Sequence, residues 1–150
     1  MTDPETIRVG FPHPELATIR GKPNFENIEV ANRELNSNSS SVASNLGNGL
    51  FGHLALTVPP ALYLAQANVQ CPSPINPGSI IILDPGTAAQ ISAVKRLHKE
   101  NLRVWNLWIN VDKALKNQIM KRYDEMYYRS LRNWHTGYAV VTCLQMLTHL

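Results

Sequence analysis

The run Gly47-Asn48-Gly49-Leu50-Phe51-Gly52 has the G-x-G-x-x-G spacing that lets a backbone turn approach a pyrophosphate when it lies between a strand and a helix. Here it follows a Ser-rich stretch and leads through His53-Leu54-Ala55-Leu56-Thr57-Val58 into two prolines, so neither flanking element is in place. A kinase glycine loop fails too, because H-R-D and D-F-G elements do not accompany it. The glycines read as a turn that needs positive φ or close backbone approach. The histidines His13, His53, His98, His135 and His149 are dispersed, and none pairs with another His or a Cys at metal-ligand spacing. His53, between the glycines and an apolar run, is expected to fix the loop by a hydrogen bond rather than to act as ligand or base. No G-x-S-x-G elbow occurs, and Cys71, between Gln70 and Pro72, lacks the basic neighbour or helix start that would activate a thiolate. Asp124 and Glu125 are adjacent and would diverge around a helix, which suits solvation rather than paired acid–base work. The expectation is no catalytic residue, no cofactor, no metal and no enzymatic activity.

The remaining chemistry is aromatic and basic. Trp105, Trp108 and Trp134, with Tyr123, Tyr127 and Tyr128, fall in the same half of the chain as most of the cations. Such interleaving can bind single-stranded nucleic acid by stacking and phosphate contact, with Lys121, Arg122, Arg129 and Arg132 as the surface candidates. At helical spacing Trp105 and Trp108 equally build a core. Charge is unevenly spread: up to Ile75 four basic residues face six acidic ones, whereas from Asn76 onward ten face five. That asymmetry fits either an acidic partner or a solvated helix face.

Those residues must be positioned by elements of a chain of 150 residues, long enough for one domain with a true core. Only 17% of residues are charged, below the roughly 25% usual for soluble domains, so the surface is rich in Asn, Ser, Thr and Gln. Residues 1–23, with Pro4, Pro12, Pro14 and Pro23, read as an extended arm in which Ile7, Val9 and Phe11 alternate as a short strand does. Residues 24–150 read as a helical domain. Asn24 caps a helix of about three turns carrying Phe25, Ile28, Ala31 and Leu35. The Ser/Asn/Gly segment from Ser37 to Gly52 then forms a long polar loop. Pro59 and Pro60 open a short helix ending near Ala67, and a Pro-rich connection covers Gln70 to Gly78. Ser79-Ile80-Ile81-Ile82-Leu83 is a brief strand or a buried extended segment.

Asp84-Pro85 marks the start of a long amphipathic helix through Ile91, Val94, Leu97, Leu102, Trp105 and Trp108. A break or kink is permitted near Asn110, beyond which Val111, Leu115, Ile119 and Met120 continue the pattern. Tyr123 to Leu131 extends it or forms another helix, Asn133 to Gly137 is a turn, and Val140, Val141, Leu144, Leu147 and Leu150 mark a last helix. Trp105, Leu102, Leu144 and Leu147 are expected to be buried and to meet across helices. The apolar face running to Leu150 predicts that the polypeptide continues past it. Cys71 and Cys143 are unpaired in pattern and no secretory leader precedes them, which predicts a reducing, cytoplasmic setting. Pro59 and Pro60 interrupt Leu54 to Ala65, and the last helix contains Thr, Gln and His, so no transmembrane helix is expected.

Leu46-Gly47-Asn48-Gly49-Leu50-Phe51-Gly52-His53-Leu54-Ala55-Leu56, Lys113-Ala114-Leu115-Lys116-Asn117-Gln118-Ile119 and Tyr128-Arg129-Ser130-Leu131-Arg132-Asn133 occur in that order, followed by Thr142 to Leu150. With these blocks the chain, from about Ile19 to Leu150, resembles the Gag-like polyproteins of copia-type LTR retrotransposons. The resemblance implies a mainly α, capsid-like helical bundle, with short extended or β segments near the N-terminus and the Gly-rich loop. It implies a structural, amino-terminal capsid subunit that self-assembles into a shell, a virus-like particle that packages element RNA. Members of that family continue into a second helical domain and often a Cys/His zinc knuckle; this sequence contains neither, so RNA binding by a knuckle is not carried over. The expected partners are copies of the chain, in a homo-oligomer or particle, and RNA, with no membrane and no small-molecule substrate. Subunit contacts are expected in the polar loop, at Asn38, Ser40, Asn45, Asn48 and Phe51. The competing reading is a basic nucleic-acid-binding helical module using Lys121, Arg122, Arg129 and Arg132.

Overall fold

The computed structural model describes residues 3–82 and 86–150. Among these, 57% are helical, and the protein is mainly α. Five α-helices follow one another: α1 (Pro4–Val9), α2 (Phe25–Ser41), α3 (Pro60–Ala67), α4 (Ala88–Arg122) and α5 (Cys143–His149). Single 3-10 turns cover Leu54–Leu56, Glu125–Tyr127 and Arg129–Leu131. The only β-type pairing among the described residues is a bridge between Asn133 and Gly137, inside the expected turn.

The amino-terminal segment is not an extended arm. Asp3 accepts hydrogen bonds from the Thr6 amide at 2.9 Å and the Thr6 hydroxyl at 3.0 Å, and Pro4 occupies the first helical position. These bonds also hold the Asp3 carboxyl below its ordinary pKa. The alternation of Ile7, Val9 and Phe11 resembled a strand, but cap and proline decide a segment this short. Past α1, Phe11 enters the core and residues 13–19 run along α4, where the Ile19 amide donates to the Arg122 carbonyl at 2.7 Å.

Asn24 caps α2 as expected, in a reciprocal capping box with Asn27. The helix nevertheless runs 17 residues to Ser41, well past Leu35. Ser residues tend to leave helices because their hydroxyls compete for backbone groups. Here Ser39, Ser40 and Ser41 bond back to the carbonyls of Asn36, Ser37 and Asn38, and Asn38 and Ser39 are buried against partners distant in sequence. The polar loop is therefore shorter than expected and begins at Val42. Helix α3 matches its expected span and closes on Asn68, which takes the left-handed conformation.

Helix α4 is 35 residues, about 50 Å at 1.5 Å per residue, and passes Asn110 without a break. Its cap is Thr87, boxed with Gln90; the expected start at Asp84-Pro85, with Leu83, lies outside the described residues. Ile80, Ile81 and Ile82 are exposed coil, neither strand nor buried segment. Tyr123 to Leu131 is broken into the two 3-10 turns, which follow extended backbone at Tyr123.

The core gathers on the carboxy-terminal half of α4. Trp108, Val111, Leu115 and Ile119 pack with Phe11, Ala31, Leu35, Leu56, Val141, Cys143, Met146 and Leu147. Of the four residues expected to meet across helices, only Leu147 is fully buried; Trp105, Leu102 and Leu144 are half-buried. The apolar stripe of α4 is continuous, but α1, α2 and α5 cover it only from Trp108 onward. Two buried charged side chains hold α5 in place. Asp112 accepts from the Cys143 amide at 3.1 Å, and Lys116 Nζ donates to the carbonyls of Tyr138 at 2.6 Å and Val141 at 3.0 Å. Burial raises the Asp112 pKa and lowers that of Lys116. Leu115→Ala should cost about 2–5 kcal/mol in urea denaturation. Leu97→Ala, on the uncovered half of the same helix, should change stability by no more than about 0.5 kcal/mol.

Candidate functional site

The glycine run is a structural turn built on backbone geometry. Gly47, Gly49 and Gly52 all have positive φ. A Cβ on Gly52 would overlap the Ser40 carbonyl and lie 2.5 Å from the Val42 carbonyl oxygen, so the loop can close onto the end of α2 only with glycine there. His53 completes the closure. Its Nδ1–H donates to the Val42 carbonyl at 2.8 Å, its amide donates to the Ser39 carbonyl at 3.0 Å, and its ring packs against Trp108. This is the fixing role the sequence predicts. Burial holds the imidazole below its ordinary pKa of 6.5, with the Val42 carbonyl partly opposing the shift.

The expected subunit-contact residues separate into two groups. Asn38 is buried and faces inward: its Oδ1 accepts from the His13 amide at 2.9 Å, and its Nδ2 donates to the His13 carbonyl at 2.9 Å and to Gln118 Oε1 at 3.0 Å. It staples α2 to the amino-terminal segment, so no neighbouring subunit can reach it. Ser40, Asn45 and Asn48 are exposed, and Phe51 is half-buried with its edge against Tyr63. Asn48 also ties the loop to α3, its Nδ2 donating to the Ala67 carbonyl at 3.0 Å. The loop is thus ordered by its own chain.

The basic candidates separate likewise. Arg122 is only 2% exposed, and its guanidinium donates to the carbonyls of Ala17 and Asn27, each at 2.9 Å. It is a structural cross-link and not a phosphate contact, because both of its terminal nitrogens are spent on backbone oxygens and the group is buried. Lys121 is exposed at the other side of that helix end, beside Glu5 and Arg8 of α1. Arg129 and Arg132 are exposed and are brought together with Asn133 and Trp134 around a cavity of about 450 Å³. The sequence sets Trp134 apart from the other aromatics by one signal, its place inside the Asn133–Gly137 turn, where it cannot join a helix core.

A second surface has no counterpart among the residues singled out from the sequence. Between the amino-terminal half of α4 and residues 74–81 lies an apolar groove of about 690 Å³, lined by Leu46, Ile75, Ile80, Ile81, Val94 and Leu97. His98 Nε2 lies 2.8 Å from the Gly78 carbonyl and fastens the proline-rich segment over α4. Ile75 and Ile81 are each 82% exposed and Leu97 is 62% exposed. The signal was the run of three isoleucines, which reads as a strand when it is taken as core.

Cys71 is half-buried and Cys143 fully buried, and burial raises both thiol pKa values, so neither is set up as a nucleophile. Among the described residues no three His, Cys, Asp or Glu side chains converge as metal ligands, and no helix is long and apolar enough to cross a membrane. No known protein family, curated protein or solved structure matches the chain.

Two outcomes test the loop. Gly52→Ala should lower stability by about 1–3 kcal/mol or more, since the left-handed conformation and the carbonyl clash act together. The buried neutral His53 contributes stability that is complete above its unfolded pKa near 6.5 and is lost as pH falls below it, because the unfolded chain then binds the proton more readily. Urea midpoints followed from neutral to acid pH should therefore fall less steeply in His53→Gln than in the parent.

Proposed function

We propose that the chain is a structural subunit that associates with copies of itself, a Gag-like capsid subunit forming a shell around element RNA. The observation that carries this reading is the uncovered apolar groove along α4 and residues 74–81. Contiguous exposed apolar surface of this kind marks interaction sites in soluble proteins. Charge supports a second copy as the occupant. Lys95, Arg96 and Lys99 are exposed on the same half of α4, outnumbering Glu100 at the groove, while the outer face of α2 carries Glu26 and Glu29 against Arg33, beside Phe25, which is 81% exposed. Glu29, Ser40 and Phe51 share one open surface on that side of the molecule, and Asn45 sits at the rim of the groove. A face of one kind meeting a face of another is a heterologous contact, and repeated it gives a ring or an open lattice rather than a closed pair. The ordered blocks that resemble copia-type Gag proteins support the specific identity; the helical bundle agrees with it.

The test is the assembly state of the purified protein across a wide concentration range, by light scattering and electron microscopy. Oligomers or particles should form without nucleic acid. Ile81→Asp and Leu97→Asp should abolish them and leave the circular dichroism and melting midpoint nearly unchanged, because both side chains are exposed. A parent that remains monomeric at every concentration, or variants that assemble as well as the parent, would overturn the reading.

A further inference from the structure

We infer that Trp134, Arg129 and Arg132 form a binding site for single-stranded nucleic acid, with the indole stacking on one base and the two guanidiniums holding adjacent phosphates. The indole is 94% exposed, more than any other large apolar side chain among the described residues. Its turn owes nothing to it. The Asn133 amide donates to the Gly137 carbonyl at 2.8 Å and the Gly137 amide donates back to Asn133 at 3.0 Å. Asn133 Oδ1 accepts from the amides of His135 and Thr136 at 2.8 and 3.1 Å, and Gly137 supplies the positive φ that closes the turn. A rigid turn presents an aromatic face to solvent and loses little freedom when that face is covered.

The arginines are arranged by the preceding 3-10 turn, closed by the Arg132 amide on the Arg129 carbonyl at 3.0 Å. Arg129 opens that turn and Arg132 follows it in extended backbone, and both side chains line one cavity with Trp134. Beneath them Tyr128 is buried, its ring edge-on to Tyr138 with centroids 5.4 Å apart, and it anchors the platform to the core. Arg129 lies 3.9 Å from Glu125, a loose exposed pair that a phosphate can displace, and Arg132 has no acidic partner within 4 Å among the described residues. An aromatic plane beside two planar cations matches a base beside its phosphates: guanidinium binds phosphate bidentately, and every base offers a π face. The site requires an unpaired base, so it takes single strands in preference to duplex. It does not rest on the assembly reading, since a monomer has all of these groups.

The test uses the full chain and a fluorescein-labelled single-stranded oligouridylate, with a duplex of equal length as competitor. The expected result is single-strand binding accompanied by quenching of tryptophan fluorescence. Trp134→Ala should weaken binding about ten-fold or more, Trp134→Phe should keep most of the affinity, and the quenching should vanish in both. Arg129→Gln with Arg132→Gln should weaken binding and reduce the slope of log affinity against log salt by about 0.7 for each phosphate contact removed. All three positions are exposed to solvent, so circular dichroism should stay constant. The inference is overturned if the parent fails to bind the oligonucleotide, if Trp134→Ala binds as well as the parent, or if duplex competes equally. It is overturned too if Trp134→Ala dissociates an oligomer while RNA affinity is unchanged, which would make the turn a protein contact. Loss of particles in the groove variants with RNA binding intact would leave this site standing.

Discussion

A row of buried polar side chains on the carboxy-terminal half of α4 must find partners, and the segments that supply those partners are the ones that pack. Asp112, Lys116, Gln118 and Arg122 are all buried, and each would be costly there if unpaired. Asp112 and Lys116 take the backbone from Tyr138 to Cys143. Gln118 takes the carbonyls of His13 and Pro14 and meets Asn38 of α2; Arg122 takes Ala17 and Asn27. One helix thus fixes the start of the chain, its second helix and its last helix by bonds specific in direction, while the apolar residues between them supply the undirected gain of burial. Two segments without regular structure, 13–19 and 138–142, become fixed because their carbonyls are the acceptors.

This constraint explains what could be read in the sequence. Features decided within a few residues were legible: the Asn24 cap, the proline start and Ala67 end of α3, the Asn133–Gly137 turn, and His53 as the latch on a glycine turn. Features decided by long-range partners were not. Nothing local says that Asn38 meets His13 and Gln118, so Ser37 to Ser41 reads as loop although it is the last turn or so of a helix. Nothing local distinguishes Arg122 from Lys121, although one is spent on carbonyls and the other is solvated. Trp105 and Trp108 share the same stripe, and only the reach of the neighbouring helices makes the second core and the first half-exposed.

Helix α4 consequently has two characters. From Trp108 onward it is the scaffold, and substitutions there act on stability. Before Trp105 its apolar stripe meets only residues 74–81 and Leu46 and stays partly open, so substitutions at its exposed positions should leave the fold intact. On the assembly proposed above, that separation would keep the repeated contacts off the scaffold, and a lattice multiplies each small contact by its symmetry.

The same distinction bears on charge. Ten basic residues from Asn76 onward suggest a broad positive field, yet Lys116 and Arg122 are buried on backbone oxygens, Arg103 is paired with Glu100, and Arg129 stands near Glu125. What reaches solvent is divided among the amino-terminal half of α4, Lys113 and Lys121 on its other half, and the turn at Trp134. A divided field steers a polyanion weakly, since screening at physiological salt limits exposed charges to about 8 Å. Any nucleic-acid affinity must then come from local contacts, few in number, in which stacking carries a larger share than phosphate neutralisation does. Binding of that kind tolerates salt better than a basic tail does, and it discriminates by the availability of an unpaired base rather than by the total charge of the strand.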